Sequence, residues 1–211
     1  MKPVKFAKDE PEIIDVEQGT DEWRRARMGI PTASMFGVIM REGRGGGESK
    51  TRRTYMLQLA GEILTEQPME SYSNEHMERG KEMEAEARKS YAFLIDDELE
   101  QVGFIKRGRT GCSPDSLRGK TGMVEIKTTL PHLLIDIHLR QEHPPQHKPQ
   151  CQGNLWVAKR EWIDIAIYWP GMKLYVERVH RDERYISALE SAVNEFNAEL
   201  AYVVQQMRRI G

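Results

Sequence analysis

The chain has 211 residues, which is long enough for one sizeable hydrophobic core, and no stretch resembles a linker between two cores. It is 39% hydrophobic and 30% charged, and no apolar run approaches the roughly 20 residues of a membrane span. The N-terminus lacks a signal-peptide core, and two cysteines do not make a disulfide framework, which favours a reducing cytoplasm. We expect one domain over residues 1–211, with residues 1–15 extended or loosely attached.

The net charge of −2 is unevenly distributed along the chain. Residues 21–53 hold eight Lys and Arg against four acids, and residues 106–160 hold ten against four. Residues 54–100 hold only four basic residues against twelve acids. The two basic segments could form a positive surface of the kind that a phosphate backbone needs. Ordinary charged helix surfaces would explain the pattern about equally well.

The predicted elements begin with a short basic helix. Thr20 or Asp21 can cap its first turn, and it is expected to end near Arg27. A Gly-Ile-Pro break follows, and a second helix is predicted over residues 35–40. Arg27 and Ser34 thus bracket a turn at a helix N-terminus, where an anion would be favoured. On these residues alone, a capping serine and a surface arginine are the simpler explanation.

A glycine-rich basic loop spans residues 41–53. Its composition indicates a segment that is either idle or in contact with a phosphate backbone. A helix over about residues 54–66 follows. Its predicted buried face comprises Tyr55, Leu57, Leu59, Ile63 and Leu64.

An acidic helix is predicted over roughly residues 74–93. Its apolar stripe comprises Met83, Ala87, Tyr91 and Leu94. Glu84 lies near the edge of this stripe, so it is the acid of this helix most suited to look toward the core. An ordinary boundary glutamate is the alternative.

Residues 112–127 carry the most informative chemical pattern. Asp115 directly follows a Ser-Pro turn. In the strand rich in β-branched residues that follows, Glu125 and Lys127 are two residues apart, so their side chains must share one face. Two carboxylates beside an ammonium suit Mg²⁺ or Mn²⁺ and the hydrolysis of a phosphodiester. Glu-Ile-Lys alone is far more often a solvated strand face with an ion pair. With the preceding Pro-Asp, the pattern resembles the PD-(D/E)xK nuclease signature.

The remaining third predicts a mixed fold. Residues 128–146 indicate a short helix or strand, and their histidines do not have zinc-site spacing. A helix over residues 149–158 places Gln150 and Asn154 on one face, where amides could orient a water or a phosphate or simply bond the helix surface.

Strands over residues 161–169 and 173–179 form a predicted hairpin, and a last helix spans residues 182–209. This order of elements predicts an α/β or α+β domain with a short mixed central sheet flanked by helices.

Five blocks in this order resemble the phage lambda exonuclease family, also called YqaJ-type viral recombinases, within the PD-(D/E)xK nucleases. The blocks are Gly19-Thr20-Asp21-Glu22-Trp23 with Arg27, Gly29-Ile30 and Thr32-Ala33-Ser34; Gly80-Lys81 with Glu84 and Ala87-Arg88; Cys112-Ser113-Pro114-Asp115; Glu125-Ile126-Lys127; and Gln150-Cys151-Gln152 with Trp156. The resemblance implies a restriction-endonuclease-like core in a single nuclease domain.

It also implies a processive 5′→3′ exonuclease that acts on ends of linear double-stranded DNA and leaves 3′ single-stranded overhangs for recombination. The resemblance further implies a ring-shaped homotrimer threaded by DNA and, as the usual partner of such enzymes, a single-strand annealing protein. A phage-encoded member would act in the host bacterial cytoplasm.

The family's site residues carry over by position. Asp115 and Glu125, with Glu84, would bind Mg²⁺, for which Mn²⁺ could substitute, at two ions per active site. Lys127 would activate the attacking water, and Gln150 matches the family's glutamine near the catalytic centre. The 5′-phosphate and DNA-binding positions are Arg27, Thr32, Ser34 and Ser113.

Two positions are less regular. Met77 falls where the family has an apolar wedge that separates the strands. Leu133 falls where the family's phosphate pocket has an arginine, so His132 or an arginine of the glycine-rich loop would have to substitute. Two other functions remain open on the sequence: a sequence- or structure-specific endonuclease with the same site, and a non-catalytic DNA-binding module with the same fold.

Overall fold

The computed structural model describes residues 10–43, 49–69 and 75–210, and it describes the side chains of all of these except 75–82. The helices are α1 Asp21–Arg27, α2 Phe36–Ile39, α3 Lys50–Thr65, α4 Glu75–Ile95, α5 Pro131–Arg140, α6 Lys148–Ala158 and α7 Glu183–Ile210. The strands are β1 Glu12–Ile14, β2 Phe104–Arg107, β3 Thr110–Cys112, β4 Ser116–Arg118, β5 Gly122–Thr128, β6 Trp162–Tyr168 and β7 Tyr175–His180. Short 3₁₀ turns precede α2 and α6, at Ala33–Met35 and Pro145–His147.

The central sheet has four strands in the order β4-β5-β6-β7. The β5–β6 pair is parallel, and the other two pairs are antiparallel, so the sheet is mixed as predicted. The middle of β5 is buried on both faces, as is usual where helices cover both sides of a sheet. Strands β1, β2 and β3 form a second, antiparallel sheet that the sequence did not predict.

The two faces of β5 meet different helices. Val124 and Ile126 pack in a small apolar cluster with Met83, Ala87 and Tyr91 of α4. Met123, on the opposite face, belongs to the main core, to which α3, α6 and α7 contribute. Because side chains alternate along a strand, Glu125 and Lys127 share the α6 face with Met123.

Most predicted helix bounds lie within two residues of the structure, but α3 begins at Lys50, four residues before its predicted start. Three positions predicted to be buried were also wrong. Leu57 and Leu64 of α3 are 47% and 37% exposed, and Leu94 of α4 is 61% exposed. The elements packed against each helix cover a narrower part of its surface than the predicted apolar face. Residues 131–140, for which helix or strand was open, form helix α5, which begins with a proline in its first turn.

The N-terminal segment is extended where it is described. Residues Glu12–Ile14 pair antiparallel with β2, with Ile13 opposite Ile105. Residues 1–9, and 44–48 of the glycine-rich loop, lie outside the described residues. Within the described part, no helix is both long enough and apolar enough to cross a membrane.

Replacing Gly103 with alanine should destabilise the fold by about 3 kcal/mol. An added Cβ would stand 1.9 Å from the backbone carbonyl oxygen of Val16, which cannot rotate away as a side-chain tip could. Urea unfolding followed by circular dichroism measures the change. The matched control is Gly61→Ala in α3, where no atom lies within 4 Å of the new Cβ. It should raise the free energy of unfolding by up to about 1 kcal/mol, so equal effects of the two changes would contradict this packing.

Candidate active site

Glu125 of β5 lies at the centre of the candidate site. Its side chain is only 3% exposed, and all its described partners are donors. Its Oε1 accepts hydrogen bonds from Lys127 Nζ at 2.7 Å and from Gln150 Nε2 at 2.5 Å. Its Oε2 accepts one from Asn154 Nδ2 at 2.9 Å. A buried carboxylate needs such partners to offset its lost hydration.

Lys127 is held as a cation by this arrangement. Burial by itself lowers the pKa of the ammonium, but the charge and hydrogen bond of Glu125, with the charge of Asp115, raise the pKa above its ordinary value. Lys127 is therefore a protonated donor as long as Glu125 is its counter-charge.

Asp115 lies just before β4, whose first residue, Ser116, pairs with Val124. Its Oδ2 accepts a hydrogen bond of 2.5 Å from the backbone N–H of Ile126. Burial, followed by the charges of Glu125 and Glu84, raises the pKa of Asp115 well above its ordinary value. The Ile126 N–H and the Lys127 charge oppose that rise. The charges of Glu125 and Glu84 thus both act on Asp115.

Glu84 reaches the site from α4. It is paired with Arg88 one turn further along, and its side chain is 34% exposed. Its charge acts on Asp115, although the two residues come from different elements. The three acids named from the sequence therefore lie in one electrostatic cluster, supplied by α4, the start of β4 and β5.

The chemistry of this cluster fits a hard divalent cation. Carboxylate oxygens are its preferred ligands. Burial, then the charges of Glu125 and Glu84, raises the pKa of Asp115, and a bound cation would favour its ionised form. Among the described residues, no three His, Cys, Asp or Glu side chains are already spaced as a metal-ligand group. Glu84 and Glu125 instead accept bonds from Arg88, Lys127, Gln150 and Asn154, so binding an ion requires an exchange of partners.

Asn154 was predicted to share a helix face with Gln150 but was not assigned to the catalytic centre. Its position four residues after Gln150 was the available signal, because both amides then share the face of α6 that meets β5. Its side chain is buried, and its Oδ1 has no hydrogen-bond partner among the described residues. Asn154 therefore serves Glu125 through its Nδ2 alone.

Four of the predicted 5′-phosphate residues lie in a second polar cluster: Arg27, Thr32 and Ser34, which we call the Arg27 group, and Ser113, which is joined to them through Trp23. Arg27 donates from Nη2 to Thr32 Oγ1 at 3.3 Å, and the Thr32 and Ser34 hydroxyls lie 3.3 Å apart. The Arg27 guanidinium stacks on Trp23, 3.8 Å from the ring centroid. Trp23 Nε1 in turn donates to Ser113 Oγ at 3.0 Å.

Trp23 is therefore the link between Arg27 and the segment that carries Asp115, a role that its sequence pattern did not reveal. Burial lowers the pKa of Arg27, an effect that the Tyr55 and Glu62 charges partly offset. Thr32 makes no capping bond to the 3₁₀ turn that follows it, so its hydroxyl is not used as a helix cap.

The remaining predicted DNA-binding residues are His132 and Met77. His132 is exposed in the first turn of α5, and no hydrogen bond or ion pair within the described part joins it to the Arg27 group. Leu133 beside it is 46% exposed. Met77 belongs to α4, but its side chain lies outside the described residues, as does Arg44 of the loop.

His147 should make the fold sensitive to mild acid. Burial, then the charges of Lys127 and His143, lowers the pKa of His147 from 6.5 to about 4. The unfolded chain therefore takes up a proton near pH 6.5 that the folded chain refuses, so stability falls as the pH drops from about 6.5 to 4. Because the ring is partly exposed, we expect a loss on the order of 1 kcal/mol.

Urea unfolding at pH 7.5 and pH 4.5 of the wild type and of His147→Gln would measure this loss. The variant should show a smaller difference between the two pH values. The exposed His132→Gln serves as control and should behave as the wild type does. An unchanged difference in His147→Gln would show that the ring is not the responsible group.

Comparison with known proteins supports the family resemblance and the fold. A sequence profile of the YqaJ-like viral recombinase domain matches residues 22–161. The chain is similar to LHK-Exo, an alkaline exonuclease from Laribacter hongkongensis, with a TM-score of 0.80 at 29% identity over 90% of this chain and 97% of that chain. Its complex with dAMP gives 0.81 at 30% identity over the same shares.

A phage-related exonuclease from Haemophilus somnus shares the fold, with a TM-score of 0.62 at 12% identity over 84% of this chain and 96% of that chain. No curated protein matches the chain. The matches confirm the predicted resemblance and the mixed α/β fold. The chain belongs to the YqaJ-like viral recombinase family and is a nuclease of the lambda exonuclease type.

Proposed function

We propose that this chain, as one nuclease domain, is a metal-dependent 5′→3′ exonuclease that degrades one strand of linear double-stranded DNA and leaves 3′ single-stranded overhangs. The observation that carries the proposal is the junction of two groups. The charges of Glu125 and Glu84 both act on Asp115 beside Lys127, and Trp23 connects the Arg27 group to Ser113, two residues before Asp115.

Asp115, Glu125 and Glu84 would hold Mg²⁺, or Mn²⁺ in its place, at two ions per site. Ions held there would lower the pKa of a water molecule and stabilise charge on the leaving oxygen. Lys127 would lose part of its counter-charge as Glu125 turns from it, which lowers the ammonium pKa toward the range in which the side chain can accept a proton from the attacking water. Asn154 bonds Oε2, the oxygen that Lys127 does not use, so it would keep the carboxylate oriented while Oε1 exchanges its partners.

The Arg27 group supports the proposed 5′→3′ direction of degradation. A guanidinium fixed by stacking on Trp23 and two neighbouring hydroxyls form a donor set suited to the two charges of a terminal phosphate. A terminal 5′-phosphate bound there would place the next phosphodiester toward the acids. Such a pocket makes a DNA end a requirement and fixes which strand is cut.

The family and the surface support a proposal for the assembly and its partners. We propose a homotrimeric ring around linear duplex DNA, in the bacterial cytoplasm, that works with a single-strand annealing protein. The basic segments 21–53 and 106–160 would then line the channel. Apolar side chains exposed on one chain, such as Leu139 of α5 at 79%, are consistent with burial between copies.

Three DNA substrates test the activity in the presence of Mg²⁺: a linear duplex with a 5′-phosphate, the same duplex with a 5′-hydroxyl, and a covalently closed circle. We expect mononucleotides from the linear forms only, and faster release from the phosphorylated duplex. Equal rates on both linear forms would overturn the role of the Arg27 group. Cleavage of the circle would indicate an endonuclease, and no cleavage of any substrate would indicate a binding module.

Added Mg²⁺ should raise the melting temperature, because an ion that binds only the folded state stabilises it by RT ln(1 + [Mg²⁺]/Kd). At about 100 times Kd this is roughly 2.7 kcal/mol, or on the order of 5 °C or more for a chain of this size. Thermal unfolding of wild type and Asp115→Ala, in NaCl of matched ionic strength, provides the comparison. The variant should show a much smaller shift, and an equal shift would count against the site.

A further inference from the structure

A second buried carboxylate lies on the other face of the central sheet. Asp164 of β6 is 3% exposed, and three side chains donate to it. Arg178 of β7 binds it in a bidentate manner, with Nε to Oδ1 and Nη2 to Oδ2 both at 2.8 Å. Arg118 of β4 donates to Oδ2 at 3.3 Å, and the Tyr91 hydroxyl donates to the same oxygen at 2.5 Å. Asp164, Arg178 and Arg118 lie on three strands of the same sheet, and only Tyr91 comes from a helix.

The arginines in this cluster are themselves fixed. The Arg178 guanidinium lies over the Trp162 ring at 3.6 Å from its centroid. Arg118 also bonds Asp97 at 3.0 Å and donates to the Tyr91 oxygen at 3.2 Å. A carboxylate held by planar, bidentate and stacked arginines offers a fixed acceptor. Tyr91 is therefore attached to a rigid point of the sheet.

Tyr91 is the residue by which α4 makes that attachment. The other buried side chains of this helix in the described part, Met83 and Ala87, meet the sheet only through a small apolar cluster. Apolar contacts of this kind are not directional, so they resist sliding and rotation of the helix weakly. The Tyr168 hydroxyl also bonds Glu86, but Glu86 is on the exposed side of α4.

Glu84 depends on the placement of the same helix. It precedes Tyr91 by seven residues, which is close to two turns, so the two side chains lie on nearly the same face of α4 about 10 Å apart along the axis. A shift or rotation of α4 at Tyr91 would be passed to Glu84 almost unchanged. When Glu84 does not reach Asp115, it stays paired with Arg88, one turn away on the same helix.

We propose that Tyr91, held by Asp164, is a positioning residue that sets α4 so that Glu84 can join Asp115 and Glu125 in binding a divalent cation. The inference rests on the proposed metal site. It assigns the Asp164 cluster a role in the affinity of that site, beyond its contribution to the stability of the fold.

The test is Tyr91→Phe, which keeps the ring in the apolar cluster and removes only the hydroxyl. The matched control is Tyr175→Phe on β7, which removes another buried hydroxyl bonded to a carboxylate, that of Glu177 at 2.7 Å, without touching α4. We expect the Kd for Mg²⁺, measured by calorimetric titration, to rise about tenfold in Tyr91→Phe and less than twofold in Tyr175→Phe. Hydrogen exchange without added metal should be faster over residues 83–95 in Tyr91→Phe only.

A double-mutant cycle with Glu84→Gln isolates the route of the effect. If Tyr91 acts through Glu84, adding Tyr91→Phe to Glu84→Gln should not weaken Mg²⁺ binding further. Saturating Mg²⁺ should restore most of the kcat of Tyr91→Phe, and the KM for DNA should stay within twofold of the wild type.

The outcomes are distinct. Wild-type Mg²⁺ affinity in Tyr91→Phe, or the same loss in the Glu84→Gln background, would overturn this inference and leave the proposed nuclease intact. A wild-type protein that binds no Mg²⁺ would overturn the proposed metal site, and this inference with it.

Discussion

Lys127→Ala should lower kcat on linear duplex DNA by about 10²- to 10⁴-fold, the usual contribution of a proton-transferring group. Lys127 is the only cation bonded to Glu125 in the described part, at 2.7 Å from Oε1, and no other described amine lies in that position to replace it. The affinity for a duplex end should change by only a few-fold. In the proposed function the Arg27 group and the basic segments would supply the phosphate contacts, and the alanine removes only one of their charges.

Single-turnover cleavage at saturating Mg²⁺ would measure the rate, and fluorescence anisotropy with a labelled, 5′-phosphorylated duplex in Ca²⁺ would measure binding. The control is Lys173→Ala, which removes an exposed lysine from the turn before β7 and should cleave as the wild type does. Loss of binding with intact cleavage per bound duplex would contradict the proposed role. Loss of binding in a protein whose wild type does not cleave would support the DNA-binding module.

The site could be found from the sequence because its residues are close in the chain or share a regular element. Glu125 and Lys127 share a strand face by the period of two, and Gln150 falls on the first turn of a helix that proline and spacing predict. Glu84 follows from the helical stripe. The family resemblance brought these separate segments together, since no periodicity says that α4 and α6 approach opposite faces of the same strand.

The unpredicted features depend on contacts between distant segments. Strands β1 to β3 are three or four residues long, too short for a periodic signal, and β1 pairs with residues at least 90 positions away, as in Ile14 with Phe104. The sequence indicates that Trp23 is an ordinary helix residue, and only the fold shows that its indole bonds Ser113. Asp164 reads as the polar position of an alternating strand, whereas its face is buried by α4 and its charge is balanced from β4 and β7.

The exposed Leu57, Leu64 and Leu94 were assigned to the core for a related reason. A helical stripe shows which side of a helix is apolar, but the width that becomes buried depends on its neighbours. Helix α3 packs mainly on α7, which covers Tyr55, Met56, Leu59 and Ala60 and leaves the flanks of the stripe open. Sequence periodicity thus gives the direction of the buried face more securely than its extent.

Arg178→Ala should lower the free energy of unfolding by about 3 kcal/mol or more, because it leaves a buried carboxylate without its bidentate partner. Asp164→Ala should cost less, since the Arg178 side chain is 43% exposed and can return to water, whereas the Asp164 carboxylate cannot. Urea unfolding of both variants gives the comparison.

Arg178→Lys should recover less than half of the loss in stability, because one ammonium cannot donate to both carboxylate oxygens in the plane that stacking on Trp162 fixes. The double variant Arg178→Ala with Asp164→Asn removes the uncompensated charge, so it should be more stable than Arg178→Ala alone. A double variant that is no more stable would mean that Arg178 contributes through its packing on Trp162 and not through the charge of Asp164.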